Sequence, residues 1–211
     1  MSVSTLPMLD AAYKAVEAVR TNHPDIPEVL VVLGAPGKTK KSQIHGHFAP
    51  RAWASDMERI HELLLSGESL QRGGKATMGT IIHELAHAYC NAKGVQDTSN
   101  AGRYHNARFR EVAEDFGLTI EKAPTIGWSV TTVPNATALR YQPQIEALDQ
   151  ALTAYRDHSQ IAASKTAKKF LMQCPTCKDP SPIGKRWFER NVVMCRVHDV
   201  RMQLLEEETT P

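Results

Sequence analysis

Gly79-Thr80-Ile81-Ile82-His83-Glu84-Leu85-Ala86-His87-Ala88-Tyr89 is the stretch from which the rest of the chain is read. It holds His-Glu-x-x-His inside an apolar run, and that pattern predicts a helix. Residues four apart on an α-helix lie about one turn apart on one face, so His83 and His87 project side by side. Two such imidazoles can share one Zn²⁺ at roughly 2.0–2.1 Å each. Glu84 follows the first ligand and is free for another task, holding a water at the metal and taking its proton. Ile81, Ile82, Leu85 and Ala86 bury the helix against a core, which puts the metal on a rigid element. A lone buried histidine is usually just hydrogen-bonded. The intervening Glu84 and the small alanines around the pair favour a metal site.

A catalytic zinc takes three protein ligands and keeps one position open. The pattern that continues with x-x-Gly-x-x-His is excluded, because Cys90 and Lys93 stand in those places. Glu111 and Glu114 are available from a following helix but lie well inside it. His105 is the first strongly ligating side chain after a polar loop, in Gly102-Arg103-Tyr104-His105-Asn106-Ala107-Arg108-Phe109. It stands at a helix N-terminus and is the favoured third ligand. Cys90 shares the helix face of His83 and His87, where packing is its expected role.

The chain has 211 residues, which suits one main domain and a small appendage. Hydrophobic residues make up 42% and charged residues 23%, so a buried core is within reach and a disordered tail protein is excluded. The net charge of +2 is unevenly placed. Ser164 to Leu204 carries nine Lys/Arg against three Asp/Glu, and the remainder carries sixteen against twenty. A basic C-terminal part on a near-neutral body suggests a polyanionic partner. No signal peptide is recognisable, and no apolar run approaches the ~20 residues that span a bilayer. Three of the four cysteines lie in one cluster, which reads as a metal site in a reducing cytoplasm rather than a disulfide framework.

In chain order, Leu9, Ala12, Tyr13, Val16 and Val19 predict a helix from about Pro7 to Thr21. Val29 to Leu33 reads as a strand. Gly34 to Gly37 turns the chain, with Lys38, Lys40 and Lys41 at a hairpin tip, and Ser42 to Phe48 is the return strand. His45 and His47 share one face of that strand, as spare ligands or as ordinary strand histidines. Ile60 to Leu65 is a third short strand. The metal helix is placed from Lys75 to Ala92, with Gly94 just past its end. Further helices are expected over Tyr104 to Phe116 and Gln144 to Ser159, the latter with Ile145, Leu148, Leu152 and Tyr155 on one face. Strand-like pieces lie near Trp128, and Ala162 to Lys169 reads as a linker.

His-Glu-Leu-Ala-His-Ala, a loop with Gly and Asn, then His-Asn-x-x-Phe and Gly117-Leu118 resemble the SprT-like metalloproteases. The Spartan proteases, which degrade proteins crosslinked to DNA, belong to that group. The resemblance covers approximately Val29 to Leu118. It implies a zinc metalloprotease with His83, His87 and His105 as ligands and Glu84 as the catalytic residue. It also implies a C-terminal zinc-binding module.

Cys174-Pro175-Thr176-Cys177 and Cys195-Arg196-Val197-His198 form two short pairs, spaced C-x₂-C-x₁₇-C-x₂-H. That spacing lies within the zinc-ribbon range, with His198 in place of the last Cys. Four ligands close the tetrahedron, so this zinc is structural. Phe170-Leu171-Met172 and Val192-Val193-Met194 read as strands leading into the pairs. Lys168, Lys169, Lys185, Arg186 and Arg190 surround them, and Trp187 stands among them either for base stacking or as ribbon core.

The expected architecture is α+β. Residues 1–163 form a zincin-like domain with a short antiparallel sheet packed on helices, and residues 164–211 form a zinc ribbon with a basic linker and an acidic tail. The expected cofactors are one catalytic and one structural Zn²⁺. The expected partners are a protein substrate and DNA, with no membrane, in the cytoplasm or, for a phage-encoded chain, the host's. Two other readings are a nucleic-acid-binding zinc protein without proteolysis and a metallopeptidase acting on a substrate not linked to DNA.

Overall fold

The computed structural model describes residues 4–35, 44–157, 169–178, 180–184 and 190–204. It is a mixed α+β structure in two units, Met1–His158 and Ser159–Pro211.

The first unit is built around one central helix, with a three-stranded sheet and a four-stranded sheet. Helix α1 (Leu6–Asn22) carries a proline in its first turn, where the missing N–H costs nothing. Its buried face is Met8, Ala11, Ala12, Ala15, Val16 and Val19. Three strands follow: β1 (Val29–Gly34), β2 (Gly46–Ala54) and β3 (Arg59–Ser66). Their order is β1-β3-β2. Strand β3 pairs antiparallel with β2 and parallel with β1, from Val29 opposite His61 to Gly34 opposite Ser66.

The sheet is therefore mixed, not antiparallel, and β1 and β2 do not form the expected hairpin. The reason lies in β3, whose consecutive Leu63, Leu64 and Leu65 are all buried. A strand buried on both faces takes the centre of a sheet, where both its edges are paired. The expected hairpin tip at Lys38, Lys40 and Lys41 lies outside the described residues. The return strand also begins later than expected, at Gly46, and is distorted between Ala49 and Trp53.

A 3-10 turn (Gly67–Arg72) leads into α2 (Gly73–Ala92). Met78, Ile81, Ile82, Leu85, Ala86 and Ala88 are fully buried on one broad face, and Thr80, Glu84 and Cys90 are buried on other sides. A helix buried on nearly all sides is a core helix. It packs against α1, β2 and β3, and against the later elements α3 (Ala107–Asp115), β7 (Gly127–Thr132) and α5 (Gln142–Ala151).

After α2 come β4 (Thr98–Ser99) and β5 (Tyr104–His105), then α3, β6 (Thr119–Ala123) and β7, in sheet order β4-β5-β7-β6. Helix α3 starts three residues later than expected. Asn106 caps it, its side-chain oxygen accepting the N–H groups of Arg108 and Phe109, and this frees Tyr104 and His105 to pair as a strand. Helix α4 (Asn135–Arg140) precedes α5. The last helix stops at Ala151 rather than Ser159, because the chain turns away to join the 3-10 turn. The Arg156 N–H donates to the Gly67 carbonyl at 2.9 Å, and Tyr155 is exposed.

The second unit contains β8 (Lys169–Gln173), β9 (Pro180–Gly184), β10 (Met194–Cys195), β11 (Val200–Arg201) and β12 (Gln203–Leu204). Strands β12-β8-β9 form one antiparallel sheet, and β10-β11 form a separate hairpin. No helix among the described residues is long and apolar enough to cross a membrane.

Candidate metal centres

His83 and His87 lie one turn apart on α2, and β5 brings His105 to them from a separate sheet. His105 Nε2 lies 3.3 Å from His83 Nε2 and 3.1 Å from His87 Nε2. The backbone holds β5 in place from both sides. The His105 N–H donates to the Ile126 carbonyl, and the Asn106 N–H donates to that of Asp97. Gly127 is paired with His105 at φ +73°, and a Cβ there would lie 2.1 Å from the His105 carbonyl oxygen. Only glycine allows this approach.

The other ring nitrogen of each histidine is occupied. His105 Nδ1 bonds the Ile126 carbonyl at 3.2 Å, and a carbonyl only accepts. His87 Nδ1 bonds Asp97 Oδ2 at 2.5 Å. His83 Nδ1 lies 2.8 Å from Thr131 Oγ1, a hydroxyl that can accept from it. Protonation at Nδ1 suits all three partners, and in that tautomer the three Nε2 lone pairs face one another. Three converging lone pairs repel unless a cation stands between them. Ligands of a tetrahedral zinc with bonds of 2.0–2.1 Å are about 3.3 Å apart. The three histidines fit a metal ion both in geometry and in donor chemistry.

Burial lowers the pKa of His83 well below the ordinary value, and His87, His105 and His45 add to the effect. His105 is lowered to about 4, by burial and then by His87, against the pull of its Ile126 bond and Asp97. Burial raises Asp97, but its bond to His87 and the charge of that ring outweigh this and lower it overall. Phe109, fully buried on α3, packs against all three imidazoles with centroids 4.6, 4.4 and 4.7 Å away.

Glu84 lies beside the histidines in the lining of a cleft of about 780 Å³ and is itself buried. Burial raises its pKa, opposed by His87, by His47 and by a backbone N–H from Phe48 on β2. His45 and His47 are not in the cluster. His45 Nδ1 pairs with Ser69 Oγ at 2.7 Å and His47 Nε2 with Glu62 Oε1 at 3.0 Å. Glu111 is exposed and Glu114 faces Arg110, so neither carboxylate reaches the site. Cys90 is buried, and its thiol is pushed up to about 12 by burial and by Asp97.

The supporting residues Asp97, Thr131 and Phe109 were not singled out as site residues by the sequence. Asp97 follows His87 by ten positions in a loop whose polar composition suggested only a turn. Thr131 is 48 residues from His83, and no spacing rule connects the two.

In the second unit, Cys174, Cys177, Cys195 and His198 come together and could hold a metal ion. Cys174 Sγ and Cys195 Sγ lie 3.8 and 3.6 Å from His198 Nδ1, and the Cys177 and Cys195 sulfurs are 3.9 Å apart. The thiols are not disulfide-bonded. The two ligand pairs sit in matching turns. The Lys178 N–H closes on the Cys174 carbonyl and the Asp199 N–H on that of Cys195, and both closing residues have positive φ. Burial opposes ionisation of Cys174, but the backbone N–H groups of Cys177 and Thr176 bring its thiol down to about 6. Four N/S ligands at tetrahedral spacing are the donor set of a closed zinc site.

Of the residues expected to contact nucleic acid, Lys168, Lys185, Arg186 and Trp187 lie outside the described residues. Lys169 falls on β8, and Arg190 is exposed. Comparison of the chain with protein-family models, with curated proteins and with solved structures finds no match.

Proposed function

We propose that this protein is a zinc-dependent endopeptidase of the SprT-like kind, acting on proteins associated with DNA. The observation that carries the reading is the convergence of three imidazole Nε2 atoms beside a buried carboxylate, inside a cleft open to substrate. His83, His87 and His105 would hold the metal. A bound Zn²⁺ supplies Lewis acidity toward a peptide carbonyl and toward water.

The protein's own residues do the rest. Asp97 and the Ile126 carbonyl accept from His87 Nδ1 and His105 Nδ1, and Thr131 can do the same for His83, so that the Nε2 atoms are left for the metal. Glu84 takes the proton of the attacking water and returns it to the departing amine. The Glu84 side chain lies against Gly46 of β2, where an added Cβ would stand 3.3 Å from its Cγ. The four-ligand cluster has no position left for a substrate, which fits a structural role for a second zinc.

The DNA part of the reading rests on charge: an excess of six positive charges between Ser164 and Leu204, against a net-negative remainder. A protein without proteolytic function has no use for a carboxylate at Glu84, and this favours the enzyme over a pure nucleic-acid binder. The test is cleavage of an unfolded protein and of a DNA-bound protein by wild type and Glu84→Gln at matched zinc content.

A further inference from the structure

The cleft at the three histidines continues well beyond them. Helix α2 lines it through Lys75, Ala76, Gly79, Thr80, His83 and Glu84. These positions recur every four residues, so they form one stripe along the helix. Lys75 precedes His83 by eight residues, which corresponds to about 12 Å along the axis. The lining residues between them are small: Ala76, Gly79 and Thr80. An extended peptide advances roughly 3.3 Å per residue, so about 12 Å is three to four residues of substrate laid against the stripe.

At that far end the cleft is lined by the exposed cations Arg72 and Lys75, with His45 nearby. Neither cation has a carboxylate within ion-pair distance among the described residues. Of the acids near this end of α2, Asp149 is engaged by the Gly74 N–H at 2.5 Å, and Glu68 is held by the Ser66 hydroxyl and by Arg156. Arg72 donates one N–H to the Ala76 carbonyl at 3.1 Å, and a guanidinium carries five. Among the described residues, the only carboxylate in the lining is Glu84, at the histidine end. The cleft is thus polarised along its length.

We propose that Arg72 and Lys75 form a subsite for an aspartate or glutamate side chain of the substrate, three to four residues from the scissile bond. The inference rests on the reading of the histidine site as a protease centre. A carboxylate matches the planar fork of Arg72, and Lys75 adds a second charge one helical turn away. Two cations at the end of a peptide-sized cleft fit a side chain better than a duplex, which needs a broad basic surface.

The experiment has two arms. Zinc-loaded wild type and the Arg72→Gln/Lys75→Gln double variant are given a proteome-derived peptide library, and the cleaved sites are read by mass spectrometry. In the second arm, fluorescein-labelled peptides that differ only in one Glu, Gln or Lys are titrated against Glu84→Gln protein, with and without the double substitution.

Wild type is expected to enrich Asp and Glu about fivefold or more at one position three to four residues from the cut, and the double variant to lose the enrichment. The Glu-over-Gln binding ratio should fall to about one in the double variant, and Arg72→Lys with Lys75 intact should retain part of it. Cleavage without acidic enrichment overturns the subsite and leaves the protease reading standing. Absence of any cleavage overturns the protease reading, and the binding ratio then decides the subsite alone. Preferential loss of oligonucleotide binding in the double variant, with peptide selectivity unchanged, assigns the two cations to DNA and also overturns the proposal.

Discussion

Asp97 Oδ2 and His87 Nδ1 lie 2.5 Å apart, and this contact ties the loop after α2 to the second histidine of the site. The carboxylate fixes the ring tautomer and makes Nε2 a better donor to a metal. Asp97→Ala should therefore weaken zinc binding at the three-histidine site by about 10–100-fold. Titration against a calibrated chelator measures this. Unchanged affinity would show that the contact does not orient the ligand.

The core of the site was legible in the sequence because α2 is local. His83, Glu84 and His87 sit within five residues, and helical geometry dictates their relation. His105 was legible as the first ligating side chain after a loop. The helical pattern runs back to Tyr104, but Asn106 is the N-cap of α3, and Tyr104 and His105 before it belong to β5. The sheet order β1-β3-β2 could not be read from neighbouring segments, since a parallel pair joins residues some thirty positions apart, such as Val29 and His61. Thr131 was hidden for the same reason: its bond to His83 spans 48 residues.

Gly127 offers a test of how β5 is held. A Cβ there would meet the His105 carbonyl oxygen, and the backbone has φ +73°. Gly127→Ala should destabilise the first unit by more than about 1 kcal/mol and loosen His105. Urea unfolding and zinc titration together should show both losses. A variant with wild-type stability and zinc affinity would contradict the described approach.

His23 should make stability depend on pH. Its ring stacks on Phe116 at 3.9 Å, and its buried Nε2 has no hydrogen-bond partner among the described residues. Burial lowers its pKa, Asp115 pulls the other way, and Arg140 lowers it further. The folded pKa is below the unfolded value of 6.5, so the unfolded chain binds the proton first. The stabilisation is complete above about pH 6.5 and is lost as pH falls from there toward the folded pKa. Urea midpoints of wild type and His23→Leu between pH 8 and pH 5 should diverge on this slope, with wild type falling more steeply. Parallel curves would contradict it.

The two clusters predict about two zinc ions per chain. His83→Ala and His198→Ala should each remove about one, and His198→Cys should retain the second. Removal of residues from Ser164 onward should abolish most DNA affinity, and the affinity of the full chain should fall steeply with salt. Metal analysis and fluorescence anisotropy across a salt series read these outcomes. A single zinc unaffected by His83→Ala would contradict the first site, and salt-independent DNA binding would contradict the electrostatic account.

The most direct test is the rate of peptide-bond cleavage by wild type and Glu84→Gln, each with measured and equal zinc content. The amide is nearly isosteric with the carboxylate but cannot accept the proton of the attacking water. The expected result is cleavage by wild type and a loss of at least about 100-fold in Glu84→Gln, with zinc and fold retained. Equal cleavage by the two proteins, or none by zinc-loaded wild type on unfolded and DNA-bound substrates, would contradict the account.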